Sequence, residues 1–571
     1  MRSCTQCKNS FAITPEDRQF LEEVSPLFNN KKYSIPEPTL CPNCRAQRRM
    51  SWRNERKFHR RKCDLCQKSI LSMYRDDVKF PVYCLECWWS DNWDPHKYAQ
   101  DFDFNKPFFE QFFSLRDKVP HFCLANLAST MENSDFVNHA GYLKNCYLLV
   151  NSDQSEQCLY GKGVNRCFNC VDGFKIYDCQ ACYECVNCNN CAFCSHLLDS
   201  YTCDNCHFSA NLIGCKNCFG CVNLRNKEYH FGNQPFSKDE YEKKIAALKA
   251  TKTSQQIFQD FQNFRSKQIV KYMQEKNTEN CSGEYLVNCK NCQDCYDSEY
   301  LEECKYCNDL KKGDKVSYKN QDISYFGMGV DYSYECSVAG YKANHTLFCE
   351  NVWESYDCYY SQLCTNNCHD LFGCIGLKHC DHCILNKKYS PGEFQKLSAK
   401  IVEHMASPRR EFIKQEFGEF FPVKFSPFSY YETTASEYFP LTKEETLARN
   451  WLWIDEKEPD YSSVTKKIVG SKVPKDIEKI PDEILNWAIE CEESHRLFKI
   501  QPAELQFYRT MKIPIPIYHP DVRHFHRLAL RRPRVLHERA CNKCHTKITT
   551  SFSSNSREKV YCEKCYLETV Y

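Results

Sequence analysis

A chain of 571 residues with 42% hydrophobic and 14% aromatic content has material for several packed domains and falls outside the disordered class. Its 76 Lys and Arg nearly balance 74 Asp and Glu, for a net charge of +2, so any basic surface must be local. It holds 43 cysteines, yet Met1 to Asn9 shows no secretory leader pattern and no apolar run reaches bilayer length, which predicts a cytoplasmic protein without a membrane span rather than a disulfide-stapled secreted domain.

Residues 1–98 read as a tandem zinc-ribbon module. Cys4 and Cys7 are followed by Cys41 and Cys44, and Cys63 and Cys66 by Cys84 and Cys87, each pair spaced Cys-x2-Cys. Two such pairs on tight turns supply four thiolates, the closed tetrahedral set of a structural zinc with no position left for substrate. Thr14, Pro15 and Asp17 mark a helix start within the long first spacer. Between Arg45 and Lys62 lie nine basic residues, Arg45, Arg48, Arg49, Arg53, Arg56, Lys57, Arg60, Arg61 and Lys62, against one acid, Glu55. With Trp52, Phe58 and His59 among them they are candidates for phosphate contact and base stacking. The structural alternative is a solvated face or internal salt bridging.

Residues 99–125 form an aromatic helical connector, expected to fix the ribbons to the first of two cysteine-rich units. In that unit, 126–234, Cys-x2-Cys pairs recur every 12 residues, at Cys167/Cys170, Cys179/Cys182, Cys191/Cys194, Cys203/Cys206 and Cys215/Cys218. A period of 12 predicts a narrow β-solenoid with strands of two or three residues between corners, and Asn169, Asn205 and Asn217 sit at one corner phase. Its inward cysteines are read as free thiols filling a cramped core, with metal-bound and disulfide-linked columns as alternatives. Residues 235–279 follow as a helical cap and bridge, opened by Ser237 and Glu240. A second, less regular cysteine-rich solenoid occupies 280–389, interrupted by a polar stretch from Lys311 to Tyr325. Residues 390–480 supply a second helical cap, opened by Ser390 and Glu393, an aromatic connector and a polar linker at 456–476.

The last segment, 481–571, repeats the first. Cys541, Cys544, Cys562 and Cys565 form a third quartet with the 17-residue spacer of the second, so three structural zinc ions are expected in all. Upstream, Cys491 falls on Cys4, His519 on Cys41 and Val522 on Cys44, which makes this a degenerate ribbon in which Cys491, His495 and His519 are a possible remnant metal site. Arg523 and Arg527 fall on Arg45 and Arg49. Together with Arg531, Arg532, Arg534 and Arg539 they make a second candidate nucleic-acid contact.

The sequence from Thr39 to Cys66, the Cys84-to-Pro95 segment, the twin cysteine-rich centres and the closing pair Cys562/Cys565 resemble uncharacterised zinc-ribbon and cysteine-rich-repeat proteins of reduced-genome candidate-phyla bacteria. The resemblance covers nearly the whole chain and implies a bacterial cytoplasmic protein without implying an activity.

The fold expectation is therefore a multidomain, mainly β protein with helices, its terminal zinc ribbons flanking two solenoid units. No phosphate loop, dinucleotide fingerprint or nucleophile elbow is present, which argues against an enzyme. The functional expectation is a multivalent nucleic-acid-binding or ribonucleoprotein-associated scaffold, with RNA favoured over DNA. A protein assembly scaffold or adaptor and a thiol-redox or iron-sulfur protein are the alternatives.

Overall fold

The computed structural model describes residues 1–176, 178–407, 416–456 and 460–571; positions 457–459 of the expected linker lie outside them. Among the described residues the chain is multidomain, with twelve α-helices and many short strands in separate sheets, none closed into a barrel. Among the described residues no helix is long and apolar enough to cross a membrane.

The first cysteine-rich segment pairs with itself in parallel at a fixed offset of 12. Gly141 lies opposite Asp153, Ser195 opposite His207, Asp204 opposite Lys216 and Lys216 opposite Glu228. Backbone turns recur at every third residue with positive φ, as at Arg166 (52°), Asn169 (55°) and Asp172 (59°), and again at Asn205 (50°) and Asn217 (48°). Left-handed backbone costs most L-residues about 1–2 kcal/mol, and Asn and Asp tolerate it best. Each of these corner N–H groups is satisfied across the register, as when Asn169 N donates to Glu156 O at 3.0 Å and Asn205 N to Ala192 O at 3.0 Å.

The buried cysteines complete the same network. Cys167 Sγ donates to Asn165 O at 3.2 Å and to Ile176 O, on the next strand step, at 3.4 Å; Cys188 Sγ reaches Leu197 O at 2.8 Å. Serines take equivalent positions: Ser155 Oγ bonds Asp153 O and Val164 O, and accepts from Cys167 N. The inward positions accept cysteine and serine, which hydrogen-bond a carbonyl, and also Leu143, Val164, Ile176 and Leu212; a protonated thiol combines the two roles, bonding a carbonyl while packing as a hydrophobe. All 43 cysteines are free of disulfides.

The second segment follows the same parallel plan with drift. Gly283 opposes Cys295, then Asn308 opposes Ser324 across a longer step, Gln321 opposes Tyr334 and His369 opposes Asp381. The longer step spans the Lys311–Tyr325 interruption. Both segments end in an antiparallel hairpin, His230 with Pro235 and Cys383 with Lys388. Asn233 and Asn386 then close the final strand step by pairing with both backbone groups of Val222 and Ile375. Helices Lys238–Thr251 and Pro391–Ala406 follow, each opened by the capping box expected at Ser237/Glu240 and Ser390/Glu393.

The aromatic connector packs elsewhere than expected. Phe108 lies against Tyr360 and Phe372 of the second segment, with ring centroids 5.2 and 5.6 Å apart, and Phe112 stacks on Phe421 at 4.8 Å. Apolar residues of the second segment therefore form one core with the N-terminal aromatics. The first segment instead offers Leu159, Tyr160 and Val171 to the C-terminal module.

Candidate metal centres and the basic arms

Three cysteine quartets bring their sulfurs together: Cys4/Cys7/Cys41/Cys44, Cys63/Cys66/Cys84/Cys87 and Cys541/Cys544/Cys562/Cys565, with all ligand atoms in each set within 4.8 Å of one another. Sulfurs bound at about 2.3 Å in a tetrahedron are separated by about 3.8 Å. The distances are 3.6 Å from Cys7 to Cys41, 3.8 Å from Cys66 to Cys84 and 3.7 Å from Cys544 to Cys562, so the sites are shaped for such an ion.

Local structure explains the convergence. Cys41, Cys84 and Cys562 each stand at the start of a helix, Pro42–Met50, Leu85–Trp89 and Glu563–Val570. Their N–H groups donate to the first sulfur of each quartet, Cys4, Cys63 and Cys541, at 3.2–3.3 Å. Burial pushes the Cys63 thiol up, but the N–H groups of Cys66, Cys84 and Leu65 outweigh it and bring the value down to about 7. Hydrogen bonding with Cys44 brings Cys41 down to about 5.

The degenerate ribbon keeps the backbone knuckle and not the ligand set. Cys491 N donates to Arg496 O and His495 N to Cys491 O, matching Cys4 N to Asn9 O and Lys8 N to Cys4 O. His495 therefore occupies the left-handed turn position of Lys8, Gln67 and His545 (φ 56° against 67°, 62° and 60°), one residue beyond the ligand slot, which Ser494 fills. Its Nδ1 faces Glu490 Oε1 at 3.2 Å. His519 caps helix Pro520–Ala529 instead, its Nδ1 accepting from Asp521 N at 3.1 Å, and burial drives its imidazole down to about 3. Among the described residues, Cys491, His495 and His519 do not gather as a metal cluster.

The basic runs turn inward, which corrects the expectation of an open phosphate-binding surface. Helix Pro42–Met50 lays its arginines on carboxylates of the second cysteine-rich segment. Arg45 reaches Asp322 at 2.8 Å and Glu335 at 3.3 Å; Arg49 reaches the same two at 2.9 and 3.0 Å; Arg48 binds Glu335 at 2.8 Å and Glu419 at 2.5 Å. Arg53 pairs with Glu55 at 2.6 Å, and Glu55 also holds Lys162 at 2.8 Å. Arg56 and Lys57 both contact Asp521, at 3.3 and 2.7 Å. Arg61 is held by Asp64 and by Arg75 O. Arg60 and Lys62 point outward on the strand His59–Lys62.

The C-terminal arm does the same on both segments. Arg523 and Arg527 grip the two oxygens of Asp172 at 2.6 and 2.8 Å, and Arg523 also meets Glu504 at 3.3 Å. Arg531 chelates Asp297, Arg534 bridges Asp297 at 2.6 Å and Asp309 at 2.5 Å, and Arg532 binds Glu284 at 3.2 Å. Arg539 is spent inside its own ribbon on Ser553 O and Ser556 Oγ, both at 3.0 Å. Arg49 is fully buried and Arg527 nearly so. A guanidinium desolvated and doubly bonded to carboxylate is unavailable to a phosphate.

The acids that receive these arms were missed in the sequence. Asp172, Asp297, Asp309, Asp322 and Glu335 all stand at left-handed corners, so the available signal was a carboxylate at the corner phase of the repeat. A second omission is a half-buried set outside the quartets, His369, Asp370 and His382, whose ligand atoms lie within 4.8 Å of one another.

No family model and no curated protein matches the chain. Among solved structures, a "putative acetyltransferase from Desulfovibrio desulfuricans G20" is similar over 44% of this chain and 68% of that one, at 9% identity and a TM-score of 0.10; a likeness of that size carries no argument about fold or function.

Proposed function

We propose that the protein is a zinc-stapled scaffold for protein assembly in a reducing cytoplasm, with two β-solenoids braced by ribbons at either end of the chain. The observation that carries this reading is the burial of the basic arms: Arg45, Arg49, Arg523 and Arg527 are consumed in ion pairs to the cysteine-rich segments, so they serve internal bracing. The offset of 12 and the corners at every third residue support a solenoid. The quartet geometry supports three structural zinc ions, because zinc suits four thiolates with no open position. Thiols engaged as donors to carbonyls support a reduced core over a disulfide or iron-sulfur column. The described residues also leave a cleft of about 1760 Å³ lined by apolar side chains such as Trp451 and Pro422 and by charged ones such as Arg75, Glu110, Asp117 and Lys424, a surface for a protein segment of mixed character.

A second reading, contact with RNA or DNA, retains Arg60 and Lys62, which alternate outward along their strand. Purification of the full-length protein from native lysate, with and without nuclease, separates the two. A stoichiometric protein partner is expected to survive nuclease, with no salt-sensitive RNA binding by the purified chain at low ionic strength. Loss of every partner with nuclease, together with RNA binding abolished by R60A/K62A, would overturn the scaffold reading.

A further inference from the structure

The second cysteine-rich segment carries a side-chain cluster that neither the ribbons nor the bracing arms use. On its last parallel step His369 stands opposite Asp381, which places Asp370 beside His382 one residue further on. His369 Nδ1 lies 2.9 Å from Asp370 Oδ2, and His382 Nε2 lies 3.7 Å from that same oxygen. An ion bound at about 2.1 Å to two imidazoles and a carboxylate separates its ligand atoms by roughly 3.0–3.5 Å, and the three ligand atoms here, all within 4.8 Å of one another, close onto one centre by side-chain rotation about Asp370.

The surroundings favour a cation. His382 Nδ1 lies 3.5 Å from Asp381 Oδ1, a carboxylate placed to orient the ring, while Lys388 is engaged by Asp381 at 2.6 Å. One step earlier Asp357 pairs with His345 at 2.6 Å, so the column through this edge runs His345, Asp357, Asp370, His382. Tyr356 stacks flat on His369 at 4.7 Å and Phe394 packs edge-on against His382 at 5.8 Å, fixing both rings. Each of the three groups keeps between a fifth and a quarter of its side chain open to solvent, which gives an ion an entry path.

We propose that His369, Asp370 and His382 form a fourth metal site, of a different class from the thiolate quartets: an exchangeable site for a borderline divalent cation such as Zn²⁺, Co²⁺ or Ni²⁺, with water completing its coordination. Imidazole and carboxylate suit these ions, and three protein ligands leave a position open. Asp381 is the positioning residue, acting through His382.

The test uses the full-length protein, washed with a mild chelator that leaves thiolate-bound zinc in place, then dialysed to equilibrium against micromolar Co²⁺ or Ni²⁺. The wild type is expected to take up one equivalent more than H369A/H382A, with only weak visible cobalt bands and no thiolate charge-transfer absorption. D370N preserves hydrogen bonding to His369 and should weaken uptake ~10-fold or more, and D381N by ~10–100-fold, with far-UV circular dichroism unchanged. Equal uptake by wild type and D370N, or an added equivalent showing cobalt-thiolate absorption, overturns the proposal.

Discussion

The two ends of the chain are built on one plan and hold the centre in crossed fashion. The second ribbon pairs Val82–Tyr83 with His121–Phe122, at the entry to the first cysteine-rich segment, while its upstream arm grips Asp322 and Glu335 of the second. The third ribbon pairs Lys559–Tyr561 with Ile269–Lys271, at the entry to the second segment, while Arg523 and Arg527 cross to Asp172 of the first and Arg531, Arg532 and Arg534 stay on Asp297, Glu284 and Asp309 of the second. The ends differ in ligand set: the N-terminal arm grows from a complete cysteine quartet and the C-terminal one from a knuckle with Cys491 alone. The shared feature is the arginine brace, and the knuckle without a quartet keeps its turn by backbone hydrogen bonding and by packing Cys491, Phe498 and Ile500 in one core.

The largest effect should separate the ends by metal. Cys4→Ser is expected to remove one of three zinc equivalents retained after chelator washing and to unfold its ribbon, since structural zinc supplies about 10–16 kcal/mol of apparent binding energy. Cys491→Ser should leave all three in place, as read by metal analysis. Next come the braces. R45A/R49A strips the fully buried Asp322 of both its arginines and should cost about 3–5 kcal/mol in denaturant unfolding. Arg527→Ala leaves Arg523 on the same Asp172 carboxylate and is expected at the lower end of that range.

The same comparison has a pH signature. Glu350, in the second segment, is pushed up to about 8 by burial, which the nearby Arg53 only partly offsets. A free glutamate releases its proton near 4.3, so the folded state holds more protons between those values and stability falls as pH rises through about 4–8. Glu350→Gln should flatten that decline in thermal melts. Glu437, which binds Lys162 of the first segment, is opposed by burial but carried down to about 2 by Lys162 and His524. Its contribution is complete above about 4.3 and is lost as pH falls toward 2. The smallest effect is at the helix start: Thr14 accepts from Asp17 N at 3.2 Å, and Thr14→Ala should cost about 1 kcal/mol.

Local patterns made the quartets readable, because four cysteines in two short pairs have few other arrangements that satisfy them. The period of 12 was likewise visible, since every inward cysteine repeats one backbone environment. The destination of the arginines was not. A run such as Arg45 to Lys62 has the same composition whether it meets phosphate or a carboxylate hundreds of residues away, and Asp322 gives no local sign of its partner. His519 failed for another reason: alignment with Cys41 located the backbone correctly at a helix N-cap, but an imidazole there reaches Asp521 N instead of a shared metal centre. The aromatic connector is packing material, as its composition indicates, but it packs on the second segment and not the first, since rings carry no address.

The crossed braces also impose an order on synthesis. Arg49 and Asp322 are 273 residues apart and Arg527 and Asp172 are 355 apart. At ~5–20 residues per second a ribosome needs roughly 15–55 s to deliver Asp322 after Arg49. The first segment waits longer still, until the final ribbon's arm emerges. A nascent chain therefore carries an unmatched basic helix for the 273 residues that separate Arg49 from Asp322, and Asp172 stays without its arginines until the arm at Arg523 and Arg527 has been made.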